Sequence, residues 1–282
     1  MLKINFGFIL EKDINEETIF KCMAVENIIW LKDLDKNKVN LAGMKAAYLA
    51  EVYNNGFQVP NGFVISTDAF KEFLHSNNIG LEIKKILKNM NHENSEEVSR
   101  AAENIKTMIL KEKISPVLEK DISEAYENLN VDEELLKVSG NVLSLIKRGR
   151  SGAIVAVRTS TISDIPGSCD NFLNIVGNKN LMNSVKECWS SFFNPGNILS
   201  MKKNNHEDSI AVFIQKMIDV NKSGVILSSN PMNREREIVI EASFGLGQLI
   251  TKGEVTPDLY IIGNDFRPKR GVLGRKQLKL IR

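Results

Sequence analysis

The sequence predicts an α+β fold, with a mainly helical first half and a second half built on a mixed sheet. Three observations predict it. Apolar residues recur at the three- and four-residue spacing of helices up to about residue 147, and β-rich runs begin after Gly149. One amphipathic helix over Lys179–Phe193 separates those runs. The related α/β class stays open.

The first half opens with a predicted helix and a short strand. The helix lies within Asp33–Tyr53, where apolar residues fall on one face, and Asn54-Asn55-Gly56 ends it because Asn and Gly tolerate left-handed backbone. The turn Val59-Pro60-Asn61-Gly62 then leads into a buried strand at Phe63–Ile65.

Helices are predicted for most of the remaining first half. Thr67 or Asp68 caps a helix that runs to Leu74. From Gly80 to about Lys147 the pattern is helical and is broken at three places: Asn91–Asn94, Ser115-Pro116 and near Asn130.

The second half is predicted to supply most of the sheet. Its β-rich runs are Ala153–Val157, Phe172–Val176, Ile210–Met217, Gly224–Leu227 and Ile238–Ala242. We therefore expect three segments along the chain: an extension over residues 1–26, a mainly helical subdomain over 27–148 and a mixed-sheet subdomain over 149–282.

Composition excludes several classes of protein. Of the 282 residues, 43% are hydrophobic and 26% charged, which argues against a disordered or fibrous chain. The net charge of +2 is too balanced to favour nucleic acid or a membrane surface as partner. No apolar run reaches the roughly 18–20 residues of a membrane span. Three cysteines without a C-x-x-C motif fit a reducing cytoplasm, and we expect no signal peptide.

Two cationic residues are candidates for binding an anion. Arg158 ends an apolar strand and is followed by the hydroxyls of Thr159 and Ser160, a set of donors that suits a phosphate oxygen. Lys45 lies near the start of an amphipathic helix, where backbone donors favour an anion. The alternatives are an arginine at a surface strand exit and a solvated lysine.

Two glycine turns are weaker candidates. In the turn 165–171, Gly167 could let the backbone approach a ligand and Asp170 could orient one, although a plain loop needs neither. The turn Gly245-Leu246-Gly247 follows a strand, but Ile250 stands where a dinucleotide fingerprint needs a small residue. We reject a Rossmann site, and a purely structural turn stays open. The three histidines have no metal-ligand spacing.

Taken in order, these segments resemble one family over about Ala24–Ile262. They are similar to the N-terminal nucleotide-binding domain shared by phosphoenolpyruvate synthase (pyruvate, water dikinase), pyruvate phosphate dikinase and rifampicin phosphotransferase. The matching segments are Ala42–Leu49 with Val59–Ser66, Val155–Ser160, Pro166–Asn174, Val212–Ile218, and Glu241–Gln248 with Gly253–Asp258. The resemblance implies an ATP-grasp fold.

The resemblance also implies roles for single residues. Lys45 and Arg158 would contact the phosphates of ATP, with Arg158 as the catalytic residue. Gly167 and Asn171 would lie at the turn that covers the phosphates. The remaining residues of the expected ATP site are Gln215 and Met217 on the hinge strand beside adenine, together with Thr159, Asp170 and Glu241 from the same motifs.

The sequence departs from the family pattern at several points. Met44 and Ala46 replace glycines and are expected to crowd the approach of backbone to phosphate, and Gln248 replaces a glutamate. The family's Q-D-x-E-W and L-Q-x-R motifs, its phosphohistidine motif and its pyruvate-binding barrel do not occur before Arg282. We therefore expect a sheet without its last strands and metal ligands outside this chain.

The resemblance leads to an expected function. The chain would be the ATP-binding part of a kinase-type transferase, using ATP and Mg²⁺ to phosphorylate a histidine on another domain or chain, from which the phosphate passes to pyruvate. We expect this chain alone not to turn over pyruvate. The alternative is a stand-alone, non-catalytic relative that binds nucleotide weakly or binds only a protein partner.

Overall fold

The computed structural model describes most of the chain in two compact units. The described residues are 26–129, 152–163, 171–204 and 209–282. The first unit contains the described residues up to Ala153 together with Val157–Gln215, and the second contains Ile154–Ala156 together with Lys216–Arg282. The boundary predicted at 148/149 lies outside the described residues.

Seven helices of the first unit are described. They are α1 Val39–Asn54, α2 Thr67–Ser76, α3 Gly80–Asn89, α4 Ser95–Lys111, α5 Pro116–Asn128, α6 Asn178–Ser191 and α7 Pro195–Asn204. Two short 3₁₀ turns, Leu31–Asp33 and Lys36–Lys38, precede α1. The breaks predicted at Asn91–Asn94 and Ser115-Pro116 are confirmed, because helices end and begin there. Asn130, near which the third break was predicted, lies outside the described residues.

Side-chain caps explain where three of these helices begin. Asn94 accepts hydrogen bonds from Glu96 N and Glu97 N at the start of α4. Ser115 accepts one from Leu118 N at the start of α5, whose first residue is proline. The cap predicted at Thr67 or Asp68 is wrong, since the capping residue is Ser66, whose hydroxyl accepts from Ala69 N at 3.2 Å.

A five-stranded sheet collects strands from both halves of the sequence. Its order is β1-β2-β5-β3-β4, with β1 Ile28–Trp30, β2 Gly62–Ile65, β3 Val155–Thr161, β4 Asn171–Ile175 and β5 Ile210–Lys216. The β1–β2 and β2–β5 pairs are antiparallel. The first half of the chain is therefore not purely helical, because it supplies β1 and the predicted strand β2.

The core of the first unit includes a close contact between α1 and this sheet. One buried cluster joins Ala42, Ala46 and Ala50 of α1 to Val64 and Phe213 of the sheet. The small side chains let α1 approach the strands closely.

An aromatic cluster forms a second part of this core. The ring centroid of Trp189 lies 4.7 Å from that of Phe73 and 5.6 Å from that of Phe70. Trp189 belongs to α6, the helix predicted over Lys179–Phe193. The apolar face predicted for that helix is confirmed, because its four predicted residues are all buried: Leu181, Val185, Trp189 and Phe192.

The second unit contains a four-stranded antiparallel sheet. Its order is β6-β7-β8-β9, with β6 Lys222–Leu227, β7 Ile238–Phe244, β8 Asp258–Ile262 and β9 Pro268–Val272. One helical turn, α8 Gln248–Thr251, follows Gly247 and buries Leu249 and Ile250. Helices and antiparallel strand pairs together confirm the α+β class.

The C-terminal residues lie against the end of the second unit's sheet. Leu246 N donates to Leu280 O at 2.8 Å, and Gly245 forms a parallel bridge with Leu280. Within the part of the chain that the structure describes, no helix has the length and apolar character needed to cross a membrane.

Candidate functional site

Helix α1 touches strand β3 at a glycine. Gly43 interrupts the helical backbone of α1 with φ 72° and ψ 164°, a conformation that only glycine adopts readily. A Cβ at this position would lie 2.2 Å from the Ser160 carbonyl oxygen and 2.5 Å from the Ser160 hydroxyl oxygen. The contact therefore excludes every residue except glycine.

Ser160 also holds the helical segment that follows Gly43. Its Oγ accepts a hydrogen bond from Ala46 N at 3.1 Å, and both residues are fully buried. A capping side chain commonly accepts from the amide three residues further on, and Ala46 is three residues after Gly43. Since glycine has no side chain, Ser160 on β3 supplies the hydroxyl in its place.

The prediction that Arg158 ends its strand is wrong, because β3 continues to Thr161. Arg158 is the one exposed residue in this otherwise buried strand. Side chains alternate along a strand, so Arg158 lies on the same face as Ser160. Although its side chain reaches solvent, the surrounding protein removes enough water to lower the pKa of Arg158 below its usual value. The guanidinium still carries its charge near neutral pH. No described residue forms an ion pair with it, so the charge is available to an anion.

Lys45 lies next to Ala46 in the segment held by Ser160. Its side chain is exposed, and it too has no ion-pair partner among the residues that the structure describes. The structure therefore brings the segments that carry Lys45 and Arg158 together through the Ser160 contact. That Met44 and Ala46 disturb phosphate binding stays a prediction.

Thr159 and Ser160 have different positions although they are neighbours. Thr159 lies on the face of β3 opposite Arg158 and is 1% exposed, and its hydroxyl has no described hydrogen-bond partner. The hydroxyl on the Arg158 face is that of Ser160. The sequence motif places this hydroxyl beside Arg158, but only Thr159 was assigned to the ATP site. The two-residue alternation of a strand is the signal that could have identified Ser160.

The turn predicted to cover the phosphates is described only in part. Asn171 is exposed and begins β4. Gly167 and Asp170 lie outside the described residues.

Gln215 has a hydrogen bond within the first unit. It is 9% exposed, and its Nε2 donates to Pro60 O at 3.1 Å. Its register partner on β2 is Gly62, where a Cβ would lie 2.6 Å from Ile214 O. The side chain of Gln215 therefore ties the turn before β2 to β5.

Met217 belongs to the second unit and is buried. Its backbone N donates to Ile154 O at 2.9 Å, and its carbonyl accepts from Arg282 at 3.5 Å. Both backbone groups of Met217 are thus hydrogen-bonded within this unit.

Glu241 lies in the strand β7 of the second unit and is half-buried. It has no ion-pair partner in the described part of the chain. Ser243 lies on the same face two residues later, and Ser223 is opposite Ser243 on β6. Both serine hydroxyls are buried without a described partner. This face therefore holds one carboxylate and two buried hydroxyls.

Two other carboxylates of the second unit are held by ion pairs. Hydrogen bonds from Lys269 and then Asn230 lower the pKa of Glu237 to about 2. A hydrogen bond from Lys276 is the main cause that lowers the pKa of Asp258. These pairs tie strand ends together. No group of three or more His, Cys, Asp or Glu within the described ranges could hold a metal ion.

Comparison with known proteins identifies the relatives of this chain. Residues 39–282 match the family model of the pyruvate phosphate dikinase AMP/ATP-binding domain. The chain is 36% identical to a probable phosphoenolpyruvate synthase of Archaeoglobus fulgidus over 265 residues, which is 90% of this chain and 33% of that protein. It is 31% identical to the phosphoenolpyruvate synthase of Pyrococcus furiosus over 289 residues, 92% of this chain and 35% of that protein.

A third relative agrees with these two. The phosphoenolpyruvate synthase of Aquifex aeolicus is 30% identical over 279 residues, 90% of this chain and 30% of that protein. The chain spans about a third of the length of these curated relatives. The resemblance drawn from the sequence motifs is confirmed, and the family match covers both of the segments that Ser160 joins. The chain belongs to the pyruvate phosphate dikinase AMP/ATP-binding domain family.

Proposed function

We propose that this chain binds Mg²⁺-ATP and presents it for phosphoryl transfer to a histidine on another domain or chain. The observation that carries the proposal is the junction of α1 and β3. There Ser160 is hydrogen-bonded to the segment that carries Lys45 and lies on the same strand as Arg158. Neither cation has an ion-pair partner among the described residues. In a member of an AMP/ATP-binding family, such a pair is best explained as the phosphate-binding part of the site.

The two cations suit a polyphosphate in different ways. The planar guanidinium of Arg158 can donate two hydrogen bonds to one phosphate, whereas the ammonium of Lys45 acts as a flexible point charge. Phosphoryl transfer depends on charges that neutralise the moving group and on its position. We therefore assign phosphate binding to both residues and transition-state stabilisation to Arg158.

The remaining predicted residues complete the proposal. Gln215 and Met217 would lie beside adenine, and Asn171 and Glu241 would belong to the same ATP site. Thr159 is not included, because it is buried on the face of β3 opposite Arg158. An ATP-grasp fold is supported by the family match, by the two compact units and by the antiparallel sheet of the second unit.

Magnesium would arrive with the nucleotide. Mg²⁺ usually keeps several waters and binds through substrate phosphates and one or two carboxylates, so it does not need a cage of protein ligands. Bound there, it would neutralise phosphate charge. That its protein ligands lie outside this chain stays a prediction from the sequence.

The acceptor would be supplied from outside these residues. The relatives are named phosphoenolpyruvate synthases, and the aligned region covers only 30% to 35% of their lengths. We propose that a histidine of another domain or chain receives phosphate from ATP and that pyruvate is the final acceptor.

Calorimetric titration with ATP, with and without Mg²⁺, tests the nucleotide-binding part of this proposal. We expect R158A and K45A each to weaken ATP binding about 10- to 150-fold, the equivalent of one charge-assisted contact of about 1.5–3 kcal/mol. Lys85 on α3 is an exposed lysine without a described partner, and K85A is the matched control.

The control variant should bind ATP like the wild type. Folded wild-type protein that does not bind ATP would refute the proposal and favour a relative that has only a protein partner. Equal weakening by K45A and K85A would show that the lysine effect is one of general charge.

A further inference from the structure

Ser160 connects two parts of the proposed phosphate site. Its backbone carbonyl lies in contact with Gly43, and its hydroxyl accepts from Ala46 N at 3.1 Å. Lys45 is the residue immediately before Ala46, and Arg158 lies two residues before Ser160 on the same strand face. One serine therefore contacts residues on either side of Lys45 while it shares a strand with Arg158.

The burial of this contact makes it rigid. Ser160 and Ala46 are both fully buried, so water cannot replace the serine hydroxyl as the acceptor for Ala46 N. Two residues along a strand span only about 7 Å, which is a short distance between the Ser160 contact and the Arg158 backbone. A shift of α1 along β3 would have to break the buried hydrogen bond and separate Gly43 from the Ser160 carbonyl.

We propose that Ser160 is a positioning residue that sets the placement of Lys45 relative to Arg158 for one polyphosphate. It acts through the Ala46 amide and does not itself touch the nucleotide. The inference rests on the proposed function. It adds that ATP affinity depends on the Ser160 hydroxyl, although Ser160 is 114 positions from Ala46, the residue whose amide it accepts from.

Loss of the Ser160 hydroxyl should weaken binding of the phosphates of ATP and not binding of its nucleoside. Without the hydroxyl, the start of the helical segment carrying Lys45 loses its acceptor and can move relative to β3. Contacts to phosphate weaken, whereas contacts to a nucleoside do not depend on Lys45 or Arg158. ATP and adenosine affinities should therefore respond differently to the same substitution.

The test compares S160A with a matched cap variant. Ser115 also caps a helix, since its Oγ accepts from Leu118 N at 3.3 Å, and it lies at the start of α5. ATP binding is measured by calorimetry and adenosine binding by NMR titration on the full chain, with thermal unfolding of each variant. We expect S160A to weaken ATP about fivefold or more and to leave adenosine unchanged. S115A should change neither affinity.

A double-mutant cycle with Lys45 decides between positioning and general destabilisation. The effect of S160A on ATP should largely disappear in a K45A background, because the placement of an absent ammonium no longer matters. An undiminished effect, or equal weakening of ATP and adenosine, would overturn the inference. If S160A does not fold, S160C replaces it, since the thiol fills the space left by the hydroxyl and is a weaker acceptor.

The two proposals fail in different ways. Wild-type protein that does not bind ATP would refute the proposed function, and this inference with it. Wild-type binding that is lost in K45A and R158A but kept in S160A would refute the inference alone.

Discussion

Replacing Gly43 with alanine should destabilise the first unit by about 2–6 kcal/mol. The positive φ of 72° accounts for about 1–3 kcal/mol when any other residue adopts it. The new Cβ would lie 2.2 Å from the Ser160 carbonyl oxygen, so α1 and β3 must separate. Separation removes the acceptor of the buried Ala46 amide, which costs about a further 1–3 kcal/mol.

Gly56 provides the control for this substitution. It has φ 83°, and a Cβ there would meet nothing within 4 Å, so G56A carries the backbone strain without the steric overlap. Urea unfolding should therefore show a smaller loss for G56A, about 1–3 kcal/mol. ATP binding should be lost in G43A and kept in G56A.

The result that would refute this reasoning is a similar loss of stability in both variants. Equal losses would mean that the close approach of Gly43 to Ser160 is absent in solution. A destabilised G43A that binds ATP normally would show that the α1–β3 junction supports the fold but does not set the phosphate site.

Two further predictions concern stability away from this junction. Y126F should destabilise the first unit by about 1–3 kcal/mol in urea unfolding, because the Tyr126 hydroxyl donates to Ala153 O and accepts from Gly177 N. The depressed pKa of Glu237 predicts a stability contribution that is present above its unfolded pKa of about 4.5 and is lost as the pH falls toward about 2. Unfolding measured from about pH 6 to about pH 2.5 should show this loss, and E237Q should flatten that part of the pH dependence.

The sequence predicted two helix starts from local signals, although it placed the cap of α2 at Thr67 or Asp68 and not at Ser66. Asn94 and the Ser115-Pro116 pair lie within three residues of the amides that are capped, so their effect is visible in a short window. The same is true of the apolar face of α6, which repeats every three or four residues.

Other features could not be predicted because their causes are distant or have no pattern. The Ser160–Ala46 hydrogen bond joins residues 114 positions apart, and no spacing rule relates them. Strand β9 begins at Pro268 and has every residue exposed, so it carries no hydrophobic alternation. The inclusion of Thr159 with Arg158 is a different kind of error, because the two-residue alternation of a strand would have placed them on opposite faces.

The departures from the family's glycine pattern have a physical explanation in the geometry of α1. Gly43 is the residue of this helix with non-helical backbone, whereas Met44 and Ala46 follow it within regular helix. A residue with a side chain costs no strain at a helical position and stabilises it relative to glycine by up to about 1 kcal/mol. The Ala46 methyl group is also buried in the core cluster that contains Ala42 and Ala50. Gly43 is thus the glycine that the backbone requires, and this sequence keeps it. It is also the residue in contact with Ser160.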